Sequence, residues 1–142
     1  MKVLITGGAG FLGYHLANCL GKKNFEIILC DIARFEKSDY PSHSVFYNSD
    51  VRDGEKIAHI VKGVDVVIHA AAALPLCKEN EIISTNLEGT RNILKASFDS
   101  GDSGVKRVIY ISSTAVYGIP KKHPIIEDDP LIGVGPYGKS KI

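Results

Sequence analysis

Apolar residues along the chain gather in five short, nearly unbroken runs: KVLIT at 2–6, FEIILC at 25–30, SVFYN at 44–48, VDVVIHA at 64–70 and VKRVIYIS at 105–112. Each is rich in β-branched residues and continuous in apolar character, which predicts strands buried on both faces of a parallel sheet. The stretches between several of these runs have helical spacing. In FLGYHLANCLGKK, Leu12, His15, Leu16, Cys19 and Leu20 fall on or near one face, and the basic residues follow where a helix dipole favours cations. DGEKIAHIVKG groups Ile57, Ile60 and Val61 and closes on Gly63, a predicted C-cap. IISTNLEGTRNILKASFDSG carries Ile83, Leu87, Thr90 and Leu94 at helical intervals, and FDSGDSGVK, with its repeated DSG, reads as a slightly extended loop before the fifth strand. The alternation of the two periods predicts an α/β fold, a right-handed doubly wound parallel sheet.

Composition narrows this picture. At 142 residues, 44% hydrophobic and 23% charged, the chain has the make-up of one soluble globular domain. Seventeen Lys and Arg against sixteen Asp and Glu leave a net charge of +1. Such a balance argues against nucleic acid as a partner, since phosphate binding needs clustered basic charge. Cys19, Cys30 and Cys77 are widely spaced with no CxxC, so they read as free thiols in a reducing compartment. The five His show no ligand spacing, and no metal is expected. The N-terminal MKVLITGGAG has too few apolar residues for a secretory signal, and VDVVIHAAAALPL falls short of the roughly 20 residues of a membrane span. A cytoplasmic domain with no membrane partner is expected.

The first candidate chemistry lies in TGGAGFLG. Gly7, Gly10 and Gly13 directly follow a predicted strand and open a predicted helix. Gly7 allows a tight turn, Gly10 lets backbone meet a pyrophosphate with no Cβ in the way, and Gly13 lets the helix pack closely. Asp31 stands just past the second strand, where a carboxylate accepts hydrogen bonds from an adenosine ribose and repels a 2′-phosphate. The cofactor this predicts is NAD, with NADP disfavoured. Arg34, three residues on, could turn toward such a phosphate.

Further motifs in order along the chain resemble those of the extended short-chain dehydrogenase/reductases, in particular the NAD-dependent epimerase/dehydratase group that acts on nucleotide sugars. TGGAGFLG is similar to the family's phosphate loop, with Phe11 and Leu12 inside it; DVRD matches the motif after the third strand, where Asp50 and Val51 would flank the adenine. HAAA resembles the cofactor-lining loop and would bring Ala70, Ala71 and Ala72 close to the cofactor, with His69 structural beneath it. TNLEGT matches the fourth-helix signature, whose Asn86 would brace the active-site backbone beside the cofactor. ISSTAVYG places the catalytic hydroxyl on Ser113, four residues before Tyr117, and YGKSK supplies the YxxxK pair Tyr137 and Lys141, which also reach the cofactor.

The implied chemistry is hydride transfer assisted by Ser, Tyr and Lys. A tyrosine hydroxyl with an ordinary pKa of about 10 is a poor base at neutral pH. A nearby ammonium and an oxidised nicotinamide both favour its phenolate. Ser113 would hold the substrate hydroxyl toward Tyr137 while the nicotinamide takes the hydride.

The resemblance implies that residues 1–142 form an NAD(P)-binding Rossmann-like domain that stops just after YxxxK, with the C-terminal strands and the substrate lobe missing. The strand order it implies is 3-2-1-4-5, with the cofactor crevice between strands 1 and 4 and an open edge at strand 5. The implied partners are a nucleotide sugar or another small hydroxyl or carbonyl substrate and, for a full-length protein, a second copy of itself. Thr114 and Ala115, where 4,6-dehydratases carry an Asp-Glu pair, argue against that activity. A short linker between His69 and Asn86 leaves 3β-hydroxysteroid-dehydrogenase-like enzymes and carbonyl reductases as alternatives, and a non-catalytic dinucleotide sensor is a third reading. The last turn, from Tyr137 to Ile142, is expected to be mobile or irregular, and the 142-residue chain inactive by itself.

Overall fold

Five parallel strands stand side by side in the order β3-β2-β1-β4-β5 in the computed structural model, which describes residues 1–101 and 104–142. Asp102 and Ser103, in the predicted loop before the fifth strand, lie outside the described residues. The strands are β1 (Lys2–Thr6), β2 (Glu26–Asp31), β3 (Val45–Asn48), β4 (Val66–His69) and β5 (Arg107–Tyr110). Helix α1 (Phe11–Gly21) joins β1 to β2, and α2 (Gly54–Ile60) joins β3 to β4. Between β4 and β5 runs a longer helical stretch, α3 (Glu79–Ile83), a π-helical segment (Ser84–Glu88) and α4 (Gly89–Asp99). Helix α5 (Gly135–Ser140) follows a 3₁₀ turn at Thr114–Tyr117.

Register aligns the strand ends. Thr6 pairs with Cys30 on one side and His69 on the other, and His69 pairs with Tyr110, so the loops that follow these strands emerge along one rim. Alternate residues feed opposite layers. Leu4, Ile28 and Val67 pack with Ile57 and Ile60 of α2 and Ile93 of α4, while Val3, Ile5, Leu29 and Ile68 pack with Ala17 of α1. Each such Leu or Ile contributes about 1.5–3 kcal/mol when fully buried, so these two layers hold the rim in place.

Several expectations need correction. Burial on both faces holds for β1, β2 and β4 but not for the edges: Val45 of β3 is 49% exposed and Ile109 of β5 is 41% exposed. The face of α1 that meets the sheet carries Gly13 and Ala17 with half-buried Leu16 and Leu20, whereas Leu12, His15 and Cys19 are exposed. Small residues there let helix and sheet approach closely. In α3–α4 the inward face is Ile82, Asn86, Gly89, Ile93 and Ala96; Ile83, Leu87 and Leu94 point away from the core.

The end of the chain is also more regular than expected. Helix α5 begins with Pro136 in its first turn, a position where the missing N–H costs nothing. Long-range bonds then pin it. Asn86 Nδ2 donates to Ser140 Oγ at 2.8 Å, Ser112 Oγ donates to the Lys141 carbonyl at 3.0 Å, and Lys141 Nζ donates to the Ile111 carbonyl at 3.0 Å. Gly138 lies so close to the 3₁₀ turn that a Cβ would stand 2.7 Å from the Ala115 carbonyl oxygen. Tertiary contacts replace the intrinsic stability that a single helical turn lacks.

Candidate cofactor cleft and catalytic corner

A cleft of about 510 Å³ opens along the rim at the carboxyl ends of β1 to β4. Its base is the glycine turn. Gly7 has φ of +69°, and a Cβ there would stand 2.9 Å from the Ala71 nitrogen; a Cβ on Gly13 would stand 2.2 Å from the Gly7 carbonyl oxygen. The turn, α1 and the alanine loop therefore interlock backbone against backbone. Gly10 precedes α1 with no side-chain cap, and the first turn of the helix holds no acidic residue. Its free N–H groups and partial positive charge face the cleft beside Gly10, Phe11 and Leu12. This cradle fits a pyrophosphate.

Asp31 stands at the tip of β2. Ala9 N–H donates to its Oδ2 and Ala33 N–H to its Oδ1, both at 2.9 Å. A carboxylate has about four acceptor positions, so both oxygens keep capacity for a ribose hydroxyl. Arg34 is exposed and does not line the cleft. Past β3, Asp50 and Val51 line the cleft. Arg52 forks the Asp50 carboxylate, its Nε at 3.0 Å from both oxygens, and this bond holds Asp50 below the usual carboxylate range.

Ala70, Ala71 and Ala72 form the opposite wall. Beneath them a chain of hydrogen bonds has one consistent set of directions. Thr90 Oγ1 donates to the Asn86 carbonyl at 2.6 Å, so it accepts from His69 Nε2 at 3.0 Å. His69 Nδ1 then accepts from Thr6 Oγ1 at 2.7 Å, and Thr6 Oγ1 accepts from the Ala71 N–H at 3.2 Å. His69 is thus a neutral imidazole with its proton on Nε2. Burial, then the charge of Lys141, lowers its pKa to about 4. The role is structural, under the cofactor loop.

The catalytic candidates occupy a separate corner. Ser113 caps the 3₁₀ turn and its Oγ accepts from the Ala115 N–H at 3.2 Å. That turn packs against α5, which carries half-buried Tyr137. Lys141 is 4% exposed; its ammonium donates to the Ile111 carbonyl and stands 4.7 Å from the centre of the Tyr110 ring, and burial lowers its pKa. Among the described residues no hydrogen bond joins the side chains of Ser113, Tyr137 and Lys141, and none of the three lines the cleft. Asn86 does not line it either. Its Oδ1 accepts from the Ala73 N–H at 2.8 Å while its Nδ2 reaches Ser140, so it braces the cofactor loop against α5.

Sequence reasoning missed several participants. Arg52 lay in the DVRD motif without a role, and Asn92, six residues after Asn86, reads in sequence as an ordinary polar helix residue. A second concavity, about 720 Å³, lies between α4 and β5, lined by Leu87, Leu94, Phe98 and Val108 with Arg91 and Lys95. Among the described residues no helix is long and apolar enough to cross a membrane.

Known proteins resemble this chain in sequence and in fold. A UDP-glucose 4-epimerase of Lactobacillus helveticus is 34% identical over 149 aligned residues, covering 100% of this chain and 44% of that protein. A UDP-N-acetyl-alpha-D-glucosaminuronate decarboxylase of Bacillus cytotoxicus is 38% identical over 136 residues, 90% of this chain and 41% of its own length. Among solved structures, a UDP-glucose 4-epimerase from Bifidobacterium longum in complex with NAD+ and UDP superposes with a TM-score of 0.88 at 32% identity, over 99% of this chain and 46% of that one. The chain thus spans less than half the length of these proteins. The sequence profile of the NAD dependent epimerase/dehydratase family matches residues 3–142, and the chain belongs to that family.

Proposed function

We infer that the cleft binds NAD and that the chain is the cofactor-binding portion of an enzyme acting on nucleotide sugars in the cytoplasm. One observation carries the reading: the glycine turn, the uncapped N-terminus of α1 and the Asp31 carboxylate face a single cleft. The N–H groups of α1 would receive the pyrophosphate, and Asp31 the adenosine ribose, where it disfavours a 2′-phosphate. Asp50 and the Val51 backbone would read the adenine. The nicotinamide supplies hydride acceptance and return.

Ser113 holds the substrate hydroxyl by a hydrogen bond, and Tyr137 takes its proton. The Lys141 ammonium uses one of its three protons on the Ile111 carbonyl, leaving two for other acceptors. Nucleotide sugars are the favoured substrates over steroids or simple carbonyl compounds, because the epimerase and the decarboxylase among the relatives carry UDP sugars in their names.

Calorimetric titration with NAD+ and NADP+ tests the cofactor assignment. NAD+ is expected to bind more tightly, and Asp31→Ala to weaken it and erase the preference; equal or tighter binding of NADP+ by the unaltered chain overturns the assignment. Incubation with NAD+ and UDP- or dTDP-hexoses, followed by NMR, tests the rest. The 142-residue chain is expected to bind cofactor without useful turnover, since none of Ser113, Tyr137 and Lys141 lines the cleft and, among the described residues, no hydrogen bond joins their side chains. Turnover that disappears in Tyr137→Phe would contradict that expectation.

A further inference from the structure

We propose that Asn92 is a positioning residue for base recognition: from helix α4 it fixes the turn after β3 so that the cleft distinguishes a 6-amino purine from a 6-oxo purine. The proposal deepens the NAD reading of the cleft and rests on it.

Two backbone carbonyls of the turn are involved. Asn92 Nδ2 donates to the Val51 carbonyl at 3.1 Å and to the Arg52 carbonyl at 2.9 Å. Both donor positions of the amide are thereby spent on a segment 40 and 41 residues away in the chain. One helical turn earlier, Gly89 makes room for the same segment, since a Cβ there would stand 2.5 Å from Val51 Cγ2. Val51 itself is 5% exposed and lines the cleft.

The turn is closed in other directions as well. Asp53 N–H donates to the Asp50 carbonyl at 3.0 Å, and Arg52 N–H to Asp50 Oδ1 at 2.8 Å. The Arg52 guanidinium forks Asp50 and extends Nη1 to Ser84 Oγ at 3.3 Å, on the π-helical segment. With these bonds made, the Val51 N–H donates to no partner among the described residues. What remains at the cleft is one backbone donor, the Val51 N–H, beside the negative charge of the Asp50 carboxylate, which Arg52 holds in place through both oxygens.

That pair has a specific complement. An adenine edge offers an acceptor at N1 and a donor at the 6-amino group. A hypoxanthine edge reverses both, with N1–H and a 6-oxo oxygen, so a donor would meet a donor and a carboxylate would meet a carbonyl oxygen. Sites built to hydrogen-bond one pattern penalise the reverse because buried polar groups are left unpaired. The discrimination depends on where the turn lies, and Asn92 and Gly89 set that place without touching the cofactor.

The test is calorimetric titration of the 142-residue chain with NAD+ and with its hypoxanthine analogue. The unaltered chain is expected to prefer NAD+ by about tenfold or more. In Asn92→Ala, NAD+ affinity falls about tenfold and the preference shrinks toward unity. Gly89→Ala, which displaces Val51 by a different route, gives the same loss of preference and serves if Asn92→Ala does not fold. Asn18→Ala, which removes a comparable amide bridge from Tyr14 and Asp39 carbonyls, leaves both affinities unchanged. Retention of the full NAD+ preference in both Asn92→Ala and Gly89→Ala overturns the proposal while the cofactor reading stands. Failure of the unaltered chain to bind NAD+ overturns that reading, and this proposal with it.

Discussion

The cofactor cleft and the groove between α4 and β5 are both concave, and the groove is the larger, about 720 Å³ against 510 Å³. Their walls differ in how polar groups are committed. In the groove, His69 and Asn86 already spend their hydrogen-bonding groups on Thr6, Thr90, Ala73 and Ser140, and the rest of the wall is largely apolar. In the cleft, the first turn of α1, the Val51 N–H and the Asp31 oxygens keep capacity facing outward. Recognition of a small charged ligand depends on this uncommitted, fixed polarity more than on volume. The groove has the character of a packing surface instead.

The sharpest way to break the comparison is Gly13→Val. Its Cβ would enter the Gly7 carbonyl, so the cleft loses its base and the α1 layer loses its seat. We expect cofactor binding to vanish and folding stability to fall by about 3 kcal/mol or more, measured by calorimetry and denaturant titration. Binding retained at native strength would mean that the turn does not form the base of the site.

A second test uses the histidine that separates the two concavities. In the folded chain its pKa is lowered from 6.5 to about 4, so between these values the unfolded chain holds the extra proton. Stability is then complete above about pH 6.5 and is lost as pH falls through about 4, by at most roughly 3 kcal/mol. Denaturant titrations at pH 7 and pH 4.5 should show this loss, and His69→Gln should reduce it. An identical acid response in His69→Gln would assign the loss to other groups.

The smallest folding effect is expected in the groove. Leu94 and Phe98 are 51% and 87% exposed, so replacing both with Lys should change folding stability by about 0.5 kcal/mol or less. Their effect should appear in association. An apolar groove beside the open edge of β5 favours pairing with a second copy, and light scattering at high concentration should show association that the double variant reduces. A clean monomer in the unaltered chain would count against the groove as a packing surface.

What could be read in sequence was what is encoded over short spans. The five strands, the glycine turn and Asp31 at the tip of β2 depend on neighbouring residues, and the strand order was implied by the family resemblance. The inward faces of α1 and α4 were misplaced for a physical reason. They are built from Gly13, Ala17, Asn86 and Gly89, whose value is small size or a single bond, so a count of large apolar residues selects Leu12 or Leu87 and Leu94 instead. Asn92 and Ser140 gain their roles from partners 40 to 54 residues away, which no local pattern reveals. The order of α5 was underestimated on the same ground, because its supports come from Asn86, Ile111 and Ser112.

The π-helical segment at Ser84–Glu88 has a consequence for how the protein tolerates change in length. A π turn holds one residue more than the α-helix around it, and each residue turns a helix by about 100°. Deleting a single residue there would relax the backbone into a uniform helix and rotate α3 about a quarter-turn against α4. Asn86 could no longer face Ala73 while Gly89 and Asn92 face Val51. The odd residue acts as a phase adjuster between two loops, so a shortened helix with better local geometry would be a worse scaffold for the cleft.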